Sequence, residues 1–186
     1  TNLKRNGGFM LNPVLIYGDD KENIGITPEE YADFLGAIFP VWWKHRNRYP
    51  EVNPFKMFVD NIIEKKNTVG CEDTGHCAYG HVYIGPSGEA SQCGRAGDWE
   101  IISYGNIKER SLIDIMKDEK REQFILRNDI LFQGECKDCP LWEFCHGGCP
   151  LDSFIKYKDF NHKTNRCEGK LLFLEKYFFP ITGTRL

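Results

Sequence analysis

Tyr31, Phe34, Leu35, Ile38, Phe39 and Trp42 recur at steps of three and four residues, the spacing that lines one face of an α-helix. Just before them, Thr27-Pro28-Glu29-Glu30 offers an N-cap, a proline suited to the first helical position and an acid three residues after the Thr, so a helix should start there. Pro40 must kink or end that helix, because it has no N–H to donate and its ring crowds the preceding turn. The aromatic stripe reads first as core packing and second as a substrate groove. Phe9 to Tyr17 is apolar and partly β-branched between Gly7-Gly8 and Gly18-Asp19-Asp20, which predicts a buried strand. Asn53-Pro54 opens a second helix with Phe55, Phe58, Val59, Ile62 and Ile63 on its buried side. Between Tyr79 and Gln92, two short strands flank Gly85-Pro86-Ser87-Gly88, a turn in which Gly88 takes a positive φ at no steric cost. That hairpin would hold Cys77 and Cys93 at its two ends. Ser111 to Arg127 places Leu112, Ile115, Met116, Phe124 and Ile125 on a helical period interrupted near Lys117-Asp118, and residues 168–179 form a last helix ending at Pro180.

Composition narrows the class. The chain has 186 residues, 41% hydrophobic and 13% aromatic, enough to build a core in one or two compact domains. Its net charge is −3 with basic residues scattered among acids, which leaves no footprint for nucleic acid. The longest nearly apolar run, Phe34 to Trp43, is ten residues, half of the roughly twenty a helix needs to cross a bilayer. Thr1 to Gly8 carries neither an initiator Met nor a basic-then-apolar signal pattern. The expectation is a piece of a longer protein with no membrane partner.

Eight cysteines change the picture most. Four fall within Cys136-Lys137-Asp138-Cys139-Pro140-Leu141-Trp142-Glu143-Phe144-Cys145-His146-Gly147-Gly148-Cys149, a C-x2-C-x5-C-x3-C pattern, and Cys71, Cys77, Cys93 and Cys167 complete a second four. A C-x2-C pair presents both sulfurs to one metal or to one edge of an iron–sulfur cluster. The x5 and x3 gaps fit a common zinc site, with its two similar halves, less well. Zinc at one or both sites and a set of four disulfides are the alternatives. Against disulfides, a chain of this length with helical apolar patterning needs no staples, and the cysteines cluster as ligands do. Metal ligation implies a reducing, oxygen-poor cytoplasm.

Cys77, ten residues, Gly88, four residues, Cys93, then the C-x2-C-x5-C-x3-C block and Cys167 resemble the seven-cysteine signature of the SPASM domain. That domain is the C-terminal extension of many radical S-adenosylmethionine (SAM) enzymes that modify peptides and proteins. Cys71 adds an eighth thiol, as in the two-cluster members, among them the anaerobic sulfatase-maturating enzymes. The resemblance implies an α+β fold, with residues 1–69 the end of a partial (β/α)6 radical SAM barrel plus a connecting helix. Residues 70–186 would then be a SPASM domain with a β-hairpin and helices around two [4Fe-4S] clusters. It assigns Cys71, Cys77, Cys93 and Cys149 to the first auxiliary cluster and Cys136, Cys139, Cys145 and Cys167 to the second. Further partners implied are a peptide or protein substrate, an electron donor such as ferredoxin or flavodoxin, and the missing barrel or a partner chain.

The departures from the family are as informative. A cluster held by four cysteines has no open iron, whereas SAM binding in the family needs a C-x3-C-x2-C loop. The nearest candidate here, Cys145-x3-Cys149, is followed three residues later by Asp152. SAM is therefore expected in the full-length enzyme only, and the chain alone should not start the radical reaction. Sulfatase-maturating enzymes carry an Asp directly after the third cysteine of the first cluster, where this sequence has Gly94. This favours ribosomal peptide maturation over formylglycine formation and leaves Asp98 as a weak catalytic candidate that reads first as part of a polar turn. His76 and His146 adjoin ligands and read first as solvated loop residues, second as substitute ligands or donors to cluster sulfur. Gly147-Gly148 would let the backbone approach a cluster, and Arg95 and Lys137 would offset its charge. The alternative function is a free-standing iron–sulfur electron-transfer or metal-binding module.

Overall fold

A computed structural model describes residues 7–14, 16 and 24–186. Along the chain these form β1 (Gly8–Met10), α1 (Pro28–His45), β2 (Glu51–Asn53), α2 (Phe55–Phe58) running into a π-helical turn (Val59–Ile63), and α3 (Cys77–Gly80). There follow β3 (Tyr83–Ile84), β4 (Ala90–Ser91), α4 (Gly94–Asp98), α5 (Leu112–Met116), α6 (Glu122–Gln133), α7 (Trp142–Cys145) and α8 (Pro150–Tyr157). The last segment is α9 (Cys167–Phe173), a π-helical stretch (Leu174–Phe178) and α10 (Phe179–Thr182). The described residues make two two-stranded sheets and no closed barrel. No helix among them is long and apolar enough to cross a membrane. Two compact units result, one of residues 1–70 with 165–186 and one of residues 71–164.

In the first unit β1 and β2 pair in parallel, Phe9 opposite Val52, with α1 in the connection between them. The expected buried strand is in fact three residues long and exposed, and Leu15 and Tyr17 lie outside the described residues. At the start of α1 the Thr27 hydroxyl accepts from the Glu30 N–H at 3.1 Å while the Glu30 carboxylate accepts from the Thr27 N–H at 2.8 Å, a reciprocal cap that satisfies two otherwise orphaned donors. Pro40 sits inside α1 without ending it. The apolar stripe is core, with Tyr31, Leu35, Phe39 and Trp42 buried. Phe34 is an exception at 50% exposed. Phe39 lies at the centre of the packing, its ring centroid 5.2 Å from Phe55, 5.4 Å from Phe173 and 5.3 Å from Phe178. The C-terminal helix that supplies Phe173 and Phe178 does not stop at Pro180. Over Leu174–Phe178 the ladder shifts to a π pattern, with the Phe179 N–H bonded to the Leu174 carbonyl, and Pro180 falls in the first turn of α10, where its missing donor is tolerated.

The second unit is built around Ala78, Ala90, Ala96, Ile102, Tyr104, Ile115, Phe124, Leu151 and Phe160, with Cys93 and Cys149 packed against that core. β3 and β4 are antiparallel, Tyr83 opposite Ser91. In the turn joining them, Gly88 has φ +97 and a Cβ there would lie 2.6 Å from Asn106 Oδ1, so glycine is required by conformation and by space. The chain from Ser111 divides where the sequence pattern falters, Lys117 closing α5 and Asp118 capping the 3-10 turn Glu119–Arg121 before α6. Only Ile115 and Phe124 of its expected apolar face are buried; Leu112, Met116 and Ile125 are exposed.

Candidate metal centre

Short elements set each cysteine of the second unit. Cys71 opens the 3-10 turn Cys71–Asp73, Cys77 is the first residue of α3, and Cys93 and Cys149 are the N-caps of α4 and α8. The Cys149 sulfur sits at the start of α8 without a side-chain capping hydrogen bond. Arg95 Nη1 lies 3.9 Å from the same sulfur, while Arg95 Nη2 donates to Asp152 Oδ1 at 2.7 Å. Asp152 is nearly fully buried, and Thr164 Oγ1 donates to its other oxygen at 3.3 Å. The position at which an open SAM-binding loop would need a third cysteine is thus filled by a carboxylate that ties α4 to α8. Arg95, two residues past Cys93, draws the Cys93 and Cys149 segments together.

Burial raises Cys71, and Cys93 adds to it; burial also pushes Cys77 up to about 11, despite the Gln92 hydrogen bond, with the charges of Cys93 and Cys71 acting in the same direction. Cys149 is pushed up to about 12 by burial and by Asp152. These thiols hold their protons at neutral pH until something binds them, and because metals and clusters bind thiolate, loading releases protons and is favoured as pH rises. A small cavity is lined by Cys71, Cys77, Gly75, Arg127, Gly148 and Pro150, among others. It therefore places two thiols beside the residues on either side of Cys149.

The supporting polar groups had no local sequence signal. Gln92, fully buried, directs Nε2 at the Cys77 carbonyl (2.5 Å) and sulfur (3.4 Å) and accepts at Oε1 from Tyr104 Oη at 2.7 Å. Since the Cys77 and His81 carbonyls can only accept, they fix which end of the amide faces them, and the Gln92 N–H groups face Cys77. His81 Nε2 lies 3.4 Å from Cys71 Sγ. Of the two histidines singled out by sequence, His76 is exposed, and His146 donates from Nδ1 to the Asp73 carbonyl at 2.6 Å. His146 thereby joins the CHGGC loop to the Cys71 turn. Asp98 ends α4 and is exposed.

Cys136 is buried; Cys139 follows it across a turn in which Asp138 has φ 57 and the Cys139 N–H bonds to the Cys136 carbonyl at 3.1 Å. Cys145 closes α7. His146, Gly147 and Gly148 then run at φ 47, 74 and 72, three successive left-handed residues that carry the chain to Cys149. Side chains at the two glycines would collide with Leu131 and Thr164 respectively, and a Cβ at Gly147 would also lie 3.6 Å from Cys136 Sγ. Arg127 fills the inside of this loop, bonding the carbonyls of Gly148 (2.9 Å), Gly147 (3.1 Å), Phe160 (2.7 Å) and His162 (2.7 Å). Lys137 is exposed and borders a surface hollow with Phe132, Cys139 and Trp142. Cys167, the remaining thiol, opens α9 in the other unit.

All eight cysteines are free thiols. Among the described residues no three His, Cys, Asp or Glu side chains converge tightly enough to grip a single metal ion. A four-iron cube spaces its thiolates more widely, one on each iron. Clustered thiols on helix starts, with Gln92 amide protons and Arg95 directed at sulfur, fit such a cluster better than a lone zinc ion.

The free thiols and the donors aimed at two of them are compatible with an iron–sulfur site. Residues 71–140, which include Cys71, Cys77, Cys93, Cys136 and Cys139, match SPASM, the iron-sulfur cluster-binding domain. Beyond that domain match, the chain is similar to anaerobic sulfatase-maturating enzymes. A cysteine-type enzyme of Clostridium perfringens (strain 13 / Type A) is 25% identical over 135 residues, covering 69% of this chain and 34% of that protein. A serine-type enzyme of Bacteroides thetaiotaomicron is 25% identical over 137 residues, covering 74% and 32%. Native anSMEcpe with bound AdoMet has the same fold at TM-score 0.63 and 22% identity, over 90% of this chain and 45% of that one. Native anSMEcpe with AdoMet and the Kp18Cys peptide gives TM-score 0.62 and 21% identity, over 93% and 47%. The chain spans 32% to 47% of the length of these relatives.

Proposed function

We propose that this chain is the auxiliary-cluster portion of a radical SAM enzyme that modifies a peptide or protein. The observation that carries this reading is the set of eight cysteines, five of them within a SPASM match. Cys71, Cys77, Cys93 and Cys149 would hold a first [4Fe-4S] cluster, and Cys136, Cys139, Cys145 and Cys167 a second. Such clusters supply one-electron transfer at potentials set by charge, hydrogen bonds to sulfur and exposure. Gln92 and Arg95 provide two of those controls, an amide donor at Cys77 and a cation beside Cys149. Residues 1–69 would be the end of the catalytic barrel, a reading supported by the parallel β1-α1-β2 arrangement. The substrate would be a peptide, as in the peptide-bound relatives. Gly94 favours a ribosomal peptide over a sulfatase, and Asp98 stays the candidate base nearest the first ligand set in sequence. A ferredoxin or flavodoxin would supply electrons.

With every cysteine used in a closed site and Asp152 locked to Arg95, no iron is left for SAM. Incubated with dithionite and SAM, the anaerobically reconstituted chain should give no 5′-deoxyadenosine above a cluster-free control. Fused to a domain with a C-x3-C-x2-C loop, it should be compatible with SAM cleavage. Repeated turnover by the chain alone would show an open iron and end the auxiliary-domain reading.

A further inference from the structure

We propose that Arg127 is a positioning residue shared by the two cysteine sets, its guanidinium holding the backbone between Cys145 and Cys149 and its charge offsetting thiolates of both. The charge half of this inference rests on the two-cluster reading above. Arg127 is 3% exposed. Nη1 donates to the carbonyls of Gly148 at 2.9 Å and His146 at 3.4 Å, and Nη2 to Gly147 at 3.1 Å and His162 at 2.7 Å. Nε donates to Phe160 at 2.7 Å, and Nη2 also reaches Ser153 Oγ at 3.3 Å. Three consecutive left-handed residues turn their carbonyls inward, and only a planar fork with five donors can meet all three while bonding 160 and 162 as well.

Each of those partners among the described residues is a neutral oxygen. A buried cation is costly without an opposing charge, and carbonyl dipoles answer that cost only in part. The opposing charge available is sulfur. Arg127 lines the cavity that also exposes Cys71 and Cys77, members of the first set. On its other side a Cβ at Gly147 would stand 3.6 Å from both Arg127 Nη2 and Cys136 Sγ, the latter a member of the second set. Burial alone lowers the Arg127 pKa, whereas the nearby Cys149, Cys136, Cys145 and Cys77 act to raise it. The four are drawn from both sets. Metal loading, which turns these thiols into thiolates, therefore supplies the counter-charge that the apo-protein lacks.

The test compares the anaerobically reconstituted chain with Arg127→Met and Arg127→Lys by iron and sulfide content and by EPR-monitored redox titration. Removing a nearby positive charge makes reduction harder, so Arg127→Met should move both midpoint potentials negative, while Arg127→Lys keeps the charge and leaves both near wild type. In the metal-free proteins, both variants should speed hydrogen exchange at the Gly148 and Thr164 N–H groups, which bond Cys145 and Gly147 carbonyls, by about tenfold or more as charged hydrogen bonds to the loop are lost. If Arg127→Met takes up no iron, joint retention of both clusters in Arg127→Lys supports the shared charge and loss from one site alone overturns it. Unchanged potentials in Arg127→Met, a shift at one cluster only, or unchanged exchange in both variants would overturn the proposal. A wild-type chain that binds no sulfide overturns the functional reading instead, and the exchange comparison then still decides whether Arg127 holds the loop.

Discussion

Phe39→Ala is expected to cost about 3–5 kcal/mol, the usual range for truncating a buried aromatic. The ring is fully buried and is flanked by Trp42 at 6.1 Å, Trp43 at 5.9 Å, Phe55 at 5.2 Å, Phe173 at 5.4 Å and Phe178 at 5.3 Å. These neighbours come from α1, α2, α9 and the π-helical stretch, so no single element can collapse to refill the gap. Tilted and edge-on pairs lose an electrostatic contribution in addition to the buried area. For a chain of this size the loss corresponds to a fall in Tm of about 10 °C, measurable by circular dichroism. A change within 2 °C, roughly the effect of a neutral surface substitution, would mean that the aromatic stripe is not the core of the first unit.

Gly147→Ala comes second, at about 2–4 kcal/mol, from a left-handed backbone cost near 1 kcal/mol plus overpacking of 1–3 kcal/mol. The added methyl meets Leu131, itself 1% exposed, and lies 3.6 Å from Arg127 Nη2 and Cys136 Sγ. Leu131 cannot withdraw into solvent, so the loop must move and carry Cys145 and Cys149 with it. The substitution should therefore lower both thermal stability and iron uptake, with denaturant titration and colorimetric iron reporting the two losses. Gly134→Ala, at a partly similar site on the exposed end of α6 where the Ile130 carbonyl is the only neighbour at 3.0 Å, should leave iron uptake close to wild type.

Much of this was legible in the sequence where the signal is local. The Thr27 to Glu30 capping box, the glycine at 88 and the break at Lys117-Asp118 each depend on residues within four positions of one another. The cysteine pattern pointed to the SPASM domain that residues 71–140 match, because thiol spacing is local in sequence. Of the residues that support the thiols, Arg95 and His146 stood out by their place beside cysteines, but the partners of these residues, and Gln92, Tyr104 and Arg127 altogether, were not legible. Arg127 bonds carbonyls 19 to 35 positions away, Tyr104 reaches Gln92 across 12, and Arg95 reaches Asp152 across 57. Polar side chains of this kind look like ordinary surface residues until the fold buries them. Two apolar readings failed for a related reason. Phe9 and Met10 read as buried and are 64% and 62% exposed, since periodicity reports that a strand has an apolar side and not whether another layer covers it. Pro180 read as a stop, but a π-helical shift ahead of it removed the need for its N–H.

Iron and acid-labile sulfide, measured on protein purified and reconstituted without oxygen, test the central claim most directly. Two closed four-cysteine sites should bind about eight irons and eight sulfides per chain, with a brown absorbance that bleaches on reduction. Stoichiometric zinc without sulfide in protein purified under the same conditions would contradict the iron–sulfur assignment.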